Sequence, residues 1–219
     1  MSSLSSNPTN KQINYLSCMG DSLTYWNLLC FDTTAYPYIA RTLIGGNCLE
    51  LNFGMHGTTT AQMLAAISTN YFADPSSYNI PLGHINFLSP IPTVAVIYGG
   101  INDCNLGTVT VDTFKSNITA MVNALETAGC SRIVLCSIHR MSTLWTTHPD
   151  SYYDTFRAAM EDIAGTLDVV FCDFHQVNLS DPTDYHIDGL HLVYSGQQKL
   201  AVKLKETLDS LGWTQILHG

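Results

Sequence analysis

Thr93-Val94-Ala95-Val96-Ile97-Tyr98-Gly99-Gly100-Ile101-Asn102-Asp103 carries the most telling pattern in the chain. Five apolar residues follow Thr93 without interruption, then two glycines break the run. A strand with one wet face would alternate, so a continuous run indicates a strand buried on both faces. Residues 13–18, 48–53, 132–138 and 168–172 read in the same way. Between these runs the period changes. Residues 112–128 repeat apolar side chains at Phe114, Ile118, Met121, Val122 and Leu125 and stop at Gly129, a helix with a glycine at its end. Residues 151–165 carry Tyr152, Phe156, Ala159, Met160 and Ile163. Residues 195–211 carry Leu200, Ala201, Leu204, Leu208 and Leu211, with Ser195 as the expected N-cap. Shorter helices are expected over residues 35–43 and 58–69.

Strands alternating with helices predict an α/β fold with a mostly parallel five-stranded sheet covered on both faces. In such sheets the chemistry lies beyond the carboxyl ends of the strands, so the residues that follow each strand deserve inspection. Two long stretches, residues 71–92 and 140–150, fit neither pattern and are expected to be functional or mobile loops.

The chain has 219 residues, which suits a single domain over residues 13–219 preceded by a flexible N-terminal segment, residues 1–12. Asp, Glu, Lys and Arg make up only 12% of it, about half the usual share, and Thr, Ser and Asn supply most of the remaining polarity. Nine cations stand against 18 anions, a net charge of −9. That balance, with no basic cluster, argues against a nucleic-acid or anionic-membrane partner. The 46% apolar share argues against disorder. No run approaches the length of a membrane span, and the Ser/Asn-rich start is not a signal peptide as written. Seven cysteines without a Cys-x-x-Cys pair point to neither a zinc ribbon nor a redox motif. Cys18, Cys136 and Cys172 fall in or beside the apolar runs and are expected to be buried, inert thiols.

The first strand is followed by Met19-Gly20-Asp21-Ser22-Leu23. A serine at a tight strand-to-helix turn exposes both its hydroxyl and its N–H, one a nucleophile and the other an oxyanion donor. Gly-Asp-Ser is also an ordinary turn and cap. Gly54-Met55-His56-Gly57-Thr58-Thr59 follows the second strand, where glycine allows backbone to approach a ligand or simply relieves a loop dihedral. After the third strand, the Asn102 amide can donate to developing negative charge, or Asn102-Asp103 can be a plain turn. His186-Ile187-Asp188-Gly189-Leu190-His191 precedes the last helix. Asp188 and His191, three apart, can form the carboxylate–imidazole pair of a Ser–His–Asp triad. His186, Asp188 and His191 could alternatively hold a metal, although that leaves Ser22 unexplained. Each feature is weak alone. Four falling in order at strand ends and before the last helix are a constellation.

These blocks resemble the GDSL, or SGNH, hydrolase family over nearly the whole chain. Gly20-Asp21-Ser22-Leu23 matches its first block, Gly57 its second, Gly100-Ile101-Asn102-Asp103 its third and Asp188-Gly189-Leu190-His191 its fourth. Leu192 replaces the proline that often follows the family's histidine, and Gly54 competes with Gly57 for the second block. The resemblance implies a flavodoxin-like three-layer α/β/α sandwich with strand order 2-1-3-4-5. It implies Ser22, Asp188 and His191 as catalytic residues, and Ser22, Gly57 and Asn102 as the oxyanion hole. It implies ester hydrolysis through an acyl-enzyme without cofactor or metal, with Asp21 shaping the turn and Asp103 bracing Asn102.

With no cation in the four blocks, a neutral small-acyl or acetyl-carbohydrate ester, small molecule or polysaccharide, is the expected substrate. Lipase or thioesterase activity on longer chains, a non-catalytic carbohydrate-binding module, and a metal-dependent hydrolase are the alternatives. Tyr25, Trp26, Tyr98 and Trp145 are candidate substrate-facing aromatics or plain packing residues. Asn117 and Asn178 head glycosylation sequons. The composition suits an extracellular or virion-associated enzyme. It does not choose the compartment or the oligomeric state.

Overall fold

A computed structural model of the chain describes residues 13–25, 32–69, 88–107 and 109–219. The expected N-terminal segment, Trp26 and most of the stretch 71–92 lie outside the described residues. Five strands form one sheet: β1 (Asn14–Gly20), β2 (Cys48–Gly54), β3 (Val94–Tyr98), β4 (Ile133–Cys136) and β5 (Val170–Cys172). They lie in the order 2-1-3-4-5, every pair parallel. Each residue of β3 is buried, as its unbroken apolar run requires.

Helices cover both faces. Helices α2 (Tyr36–Ile44), α7 (Tyr194–Ser210) and α8 (Trp213–His218) pack on one another, and α3 (Thr60–Thr69), α5 (Val111–Thr127) and α6 (Asp154–Leu167) form the other group. The result is a three-layer α/β/α arrangement. The apolar stripe expected on α5 is the face it buries: Phe114, Ile118, Met121, Val122 and Leu125. Its first turn is held by Thr110, whose hydroxyl accepts the Thr113 N–H, a cap worth about 1 kcal/mol. Gly129 lies just past its end at φ +99°, a backbone shape that side chains disfavour.

Several expectations need correction. The N-cap of α7 is Val193, while Ser195 lies inside the helix and turns its hydroxyl back to the Thr183 carbonyl. Leu211 closes that helix on the exposed side rather than extending its buried stripe. Residues 150–153 form a separate 3-10 turn before α6, and β5 starts only at Val170 because Asp168 caps α6 at φ +54°. Three short helices escaped the periodicity: α1 (Ser22–Tyr25), α4 (Ile101–Leu106) and α8. Four to six residues hold too few turns to show a period of 3.6.

Cys18, Cys136 and Cys172 are buried free thiols. Among the described residues no helix is long and apolar enough to cross a membrane. The strand register then matters most. Gly20 pairs with Gly54 on one side and Tyr98 on the other, so β1, β2 and β3 end level and their loops leave the same edge.

Candidate active site

At that edge the chain turns from β1 into α1 through Asp21. The Asp21 carboxylate accepts the Leu23 N–H at 2.9 Å, and its carbonyl accepts those of Thr24 and Tyr25. Asp21 therefore shapes the turn and caps the helix, and Ser22 stands at its first position, where a backbone N–H lacks an intrahelical acceptor. Ser22 is 7% exposed.

His191 arrives from far along the chain. Its Nε2 lies 3.0 Å from Ser22 Oγ, and its Nδ1 lies 2.6 Å from Asp188 Oδ2. The other carboxylate oxygen, Asp188 Oδ1, accepts the Leu190 and His191 N–H groups, each at 2.9 Å. Burial raises the Asp188 pKa, but these hydrogen bonds outweigh it and hold the group below the usual carboxylate range. Serine, imidazole and carboxylate thus form one hydrogen-bonded chain. A hydroxyl so placed can pass its proton to the ring as the oxygen attacks, and the carboxylate fixes the ring's tautomer.

Asn102 lies in the first turn of α4, and its Nδ2 donates to the Thr58 carbonyl at 2.9 Å. A side-chain amide has two N–H donors, so this bond leaves the second for another acceptor. The bond also draws α4 against the turn that contains Gly57. Gly57 has φ +70° and open space where a side chain would begin. The competing Gly54 is the last residue of β2, and its N–H is already committed to Asn52 Oδ1 at 2.9 Å. Of the two glycines, Gly57 is therefore the one with a backbone amide to offer. Asp103 braces the region indirectly: its carboxylate accepts from Thr60 N at 2.8 Å and Thr60 Oγ1 at 2.5 Å, joining α4 to the start of α3.

The segment carrying Asp188 and His191 is held by the loop after β4. Gly189 turns at φ +72°, and a side chain there would meet the Trp145 backbone nitrogen at 2.3 Å. Its carbonyl accepts the Ser142 N–H at 3.1 Å. Trp145 Nε1 donates to Tyr153 Oη at 2.6 Å, and that hydroxyl donates to Asn105 Oδ1 at 2.8 Å. The loop over residues 140–150 therefore connects the Asp188–His191 turn to α4. Trp145 takes part in this packing as well as lying near the site.

Sequence reasoning missed the residues behind the loop. Arg157 is buried on α6 and donates to the Ile138 and His139 carbonyls, to Asp154 and to Asp150 Oδ1 at 2.6 Å. Burial raises Asp150, yet Arg157 and the Met141 N–H hold its carboxyl below its ordinary value. His139, beyond β4, is also buried and bonded at both ring nitrogens. His139 directly follows the apolar run 132–138, the same position relative to its strand that the serine, glycine and asparagine blocks hold after the first three runs.

His186, Asp188 and His191, the residues of the metal alternative, lie together on one turn. Asp188 Oδ2 is 3.7 Å from His186 Nδ1 and is engaged with His191. Among the described residues no group of three or more candidate ligands is assembled. The two sequons also separate. Asn117 uses its amide to donate to Thr60 Oγ1, whereas Asn178 is exposed.

The model of the GDSL-like lipase/acylhydrolase family matches residues 18–199. Among solved structures, a lipase/acylhydrolase from Enterococcus faecalis aligns with TM-score 0.70 at 18% identity, covering 90% of this chain and 96% of its own. The psychrotrophic esterase EstA from Pseudoalteromonas sp., in a form inhibited by monoethylphosphonate, aligns with TM-score 0.67 at 17% identity, covering 90% and 98%. A GDSL-like lipase from Bacteroides thetaiotaomicron aligns with TM-score 0.63 at 18% identity, covering 90% and 89%. At such identities the likeness is one of fold. No curated protein matches the chain.

Proposed function

The chain belongs to the GDSL-like lipase/acylhydrolase family, and from that premise we propose that it hydrolyses carboxylic esters through an acyl-enzyme on Ser22. The observation that carries this reading is the unbroken chain from Ser22 Oγ to His191 Nε2 at 3.0 Å and from His191 Nδ1 to Asp188 Oδ2 at 2.6 Å. His191 accepts the Ser22 proton as the oxygen bonds to the ester carbonyl carbon. The resulting oxyanion is held by the Ser22 N–H, the Gly57 N–H and the free N–H of the Asn102 amide. His191 then gives its proton to the departing alcohol. Water repeats the sequence on the acyl-enzyme, releasing the acid and restoring Ser22.

We assign the substrate to neutral esters of small acyl groups, with acetylated carbohydrates foremost. Cations are few, and Lys115, Arg157, Lys199 and Lys205 are each paired with an aspartate outside the four blocks. A phosphate-bearing thioester finds no cationic clamp in those blocks. The test is an ester series from acetyl to palmitoyl beside acetylated polysaccharides, with labelling of Ser22 by a fluorophosphonate. Turnover confined to short acyl groups supports the assignment, and a preference for palmitoyl replaces it with a lipase-like one. No adduct on Ser22 and no turnover would leave a binding module on this fold.

A further inference from the structure

Behind His191 stands a second imidazole to which the hydrolysis mechanism gives no role. His139 follows β4 and is 0% exposed. Its Nε2 lies 2.9 Å from the Leu190 carbonyl, and its Nδ1 lies 2.5 Å from Tyr98 Oη. A carbonyl oxygen only accepts, so Nε2 carries the proton. Nδ1 is then bare and accepts from the Tyr98 hydroxyl. Burial pushes the ring's pKa down to about 3, with the charges of Arg157 and His191 acting in the same direction. The ring is a neutral donor, and adding a second charge beside His191 would oppose the imidazolium that catalysis needs.

Both ends of this bridge belong to the candidate site. Leu190 lies between Asp188 and His191, and its N–H is one of the two donors to Asp188 Oδ1. Tyr98 ends β3, directly before the glycines that lead to Asn102, and its carbonyl accepts Thr24 Oγ1, two residues after Ser22. The ring of Tyr98 is wedged edge-on against Tyr36 and Phe174, so its hydroxyl is a rigid anchor. The Asp188–His191 turn itself has little packing on its outer side, where Ile187 is 84% exposed. Backbone anchors hold it instead: Ser142 on the Gly189 carbonyl, His186 on the His191 carbonyl, and His139 on the Leu190 carbonyl.

We propose that His139 is a positioning residue: as a bridge from Tyr98 Oη to the Leu190 carbonyl, it sets the Asp188–His191 turn at hydrogen-bonding distance from Ser22. The proposal rests on the reading of Ser22, Asp188 and His191 given above. Because His139 touches no reacting atom, its loss alters alignment and leaves substrate contacts alone, and small misalignments of reacting groups cost up to about 100-fold.

The test is steady-state hydrolysis of p-nitrophenyl acetate, with the rate of fluorophosphonate labelling in parallel. His139→Leu removes donor and acceptor together, and kcat is expected to fall about 10–100-fold with KM within about twofold. Labelling slows by the same factor. His139→Gln can donate to Leu190 and accept from Tyr98, and it is expected to restore kcat to within about threefold of the parent. Leu208→Ala, in the buried face of α7, is the stability control and keeps the parent kcat. A folded His139→Leu enzyme with parent kcat would overturn the proposal, as would a His139→Gln enzyme as slow as the leucine variant. If His139→Leu does not fold, Tyr98→Phe removes only the anchoring hydroxyl, and a fall in kcat of a few-fold at constant KM is expected; an unchanged kcat rejects the bridge. Ser22→Ala separates the two levels. Parent-rate hydrolysis by that variant overturns the reading beneath the proposal, whereas an inactive Ser22→Ala beside a fully active His139→Leu overturns the role of His139 alone.

Discussion

Asn102 Nδ2 donates to the carbonyl of Thr58 at 2.9 Å, and that bond fastens the first turn of α4 to the loop after β2. Two segments more than forty residues apart are thereby joined at the point where a backbone N–H from Gly57 and a side-chain N–H from Asn102 are both available.

Asn102→Ala removes the proposed oxyanion donor and the tie to Thr58 together. The expected result is a fall in kcat of about 100–1,000-fold for p-nitrophenyl acetate, with KM changed far less. Initial-rate kinetics over a range of ester concentrations check this. A kcat within threefold of the parent removes Asn102 from the oxyanion hole.

Ser22→Ala deletes the proposed nucleophile without disturbing the cap that Asp21 places on Leu23. Hydrolysis should fall by several orders of magnitude, and the mass shift produced by a fluorophosphonate should disappear. Intact-protein mass spectrometry and the ester assay read the two effects separately.

The pH dependence of stability should show two opposed contributions. Burial, aided by the nearby Asp103 charge, pushes Asp21 up to about 7, while the Leu23, Gly100 and Ile101 amides oppose the shift. Only the Leu23 amide reaches the carboxylate with hydrogen-bond geometry, and Asp21 Oδ2 has no hydrogen-bond partner among the described residues. An acid whose pKa rises on folding favours the fold below its unfolded value of about 3.8 and loses that contribution as pH rises to about 7. His139 has the opposite sign. A base whose pKa falls to about 3 on folding favours the fold above about 6.5 and loses that contribution as pH falls toward 3. Each contribution is on the order of 4 kcal/mol, so between about pH 4 and 6.5 they largely cancel. Asp21→Asn removes one arm: its stability should rise with pH across that window, with the largest gain over the parent above pH 7. Urea unfolding from pH 4 to 8 measures this, and parallel curves for variant and parent would contradict it.

Arg157→Met breaks the ion pair between the buried guanidinium and the half-buried Asp150 and strips donors from the buried Ile138 and His139 carbonyls. A loss of about 3–5 kcal/mol is expected, because the partner carboxylate and two carbonyls are left uncompensated. Differential scanning calorimetry should record a fall in Tm of roughly 6–20 °C. A change below 2 °C would mean that water replaces the guanidinium at no cost.

The fold was legible because it is written locally. The run from Val94 to Tyr98 is apolar without alternation, and α5 repeats its apolar positions at helical spacing, so each element could be identified from its own neighbours. The serine block and the Asn102 block were legible for a related reason: strand ends in a parallel sheet converge on one edge, so sequence order placed them together, whereas Asp188 and His191 were paired by their spacing of three residues. Short elements such as α4 and α8 were not, since their few residues show no period and tertiary contacts decide their helical state.

The order of residues is enough to read the parallel α/β architecture, the strand order implied by family resemblance, and the hydroxyl, imidazole and carboxylate that stand out. The remaining relations arise only in the folded chain. The Gly54 N–H donates to Asn52 Oδ1, and Asp188 Oδ2 lies 2.6 Å from His191 Nδ1. His139, an unremarkable residue in the chain, joins Tyr98 to the Leu190 carbonyl. The physical reason is distance along the chain. Propensity and periodicity act between residues a few positions apart, whereas a hydrogen bond between residues 41 or 51 positions apart exists only once the sheet has assembled.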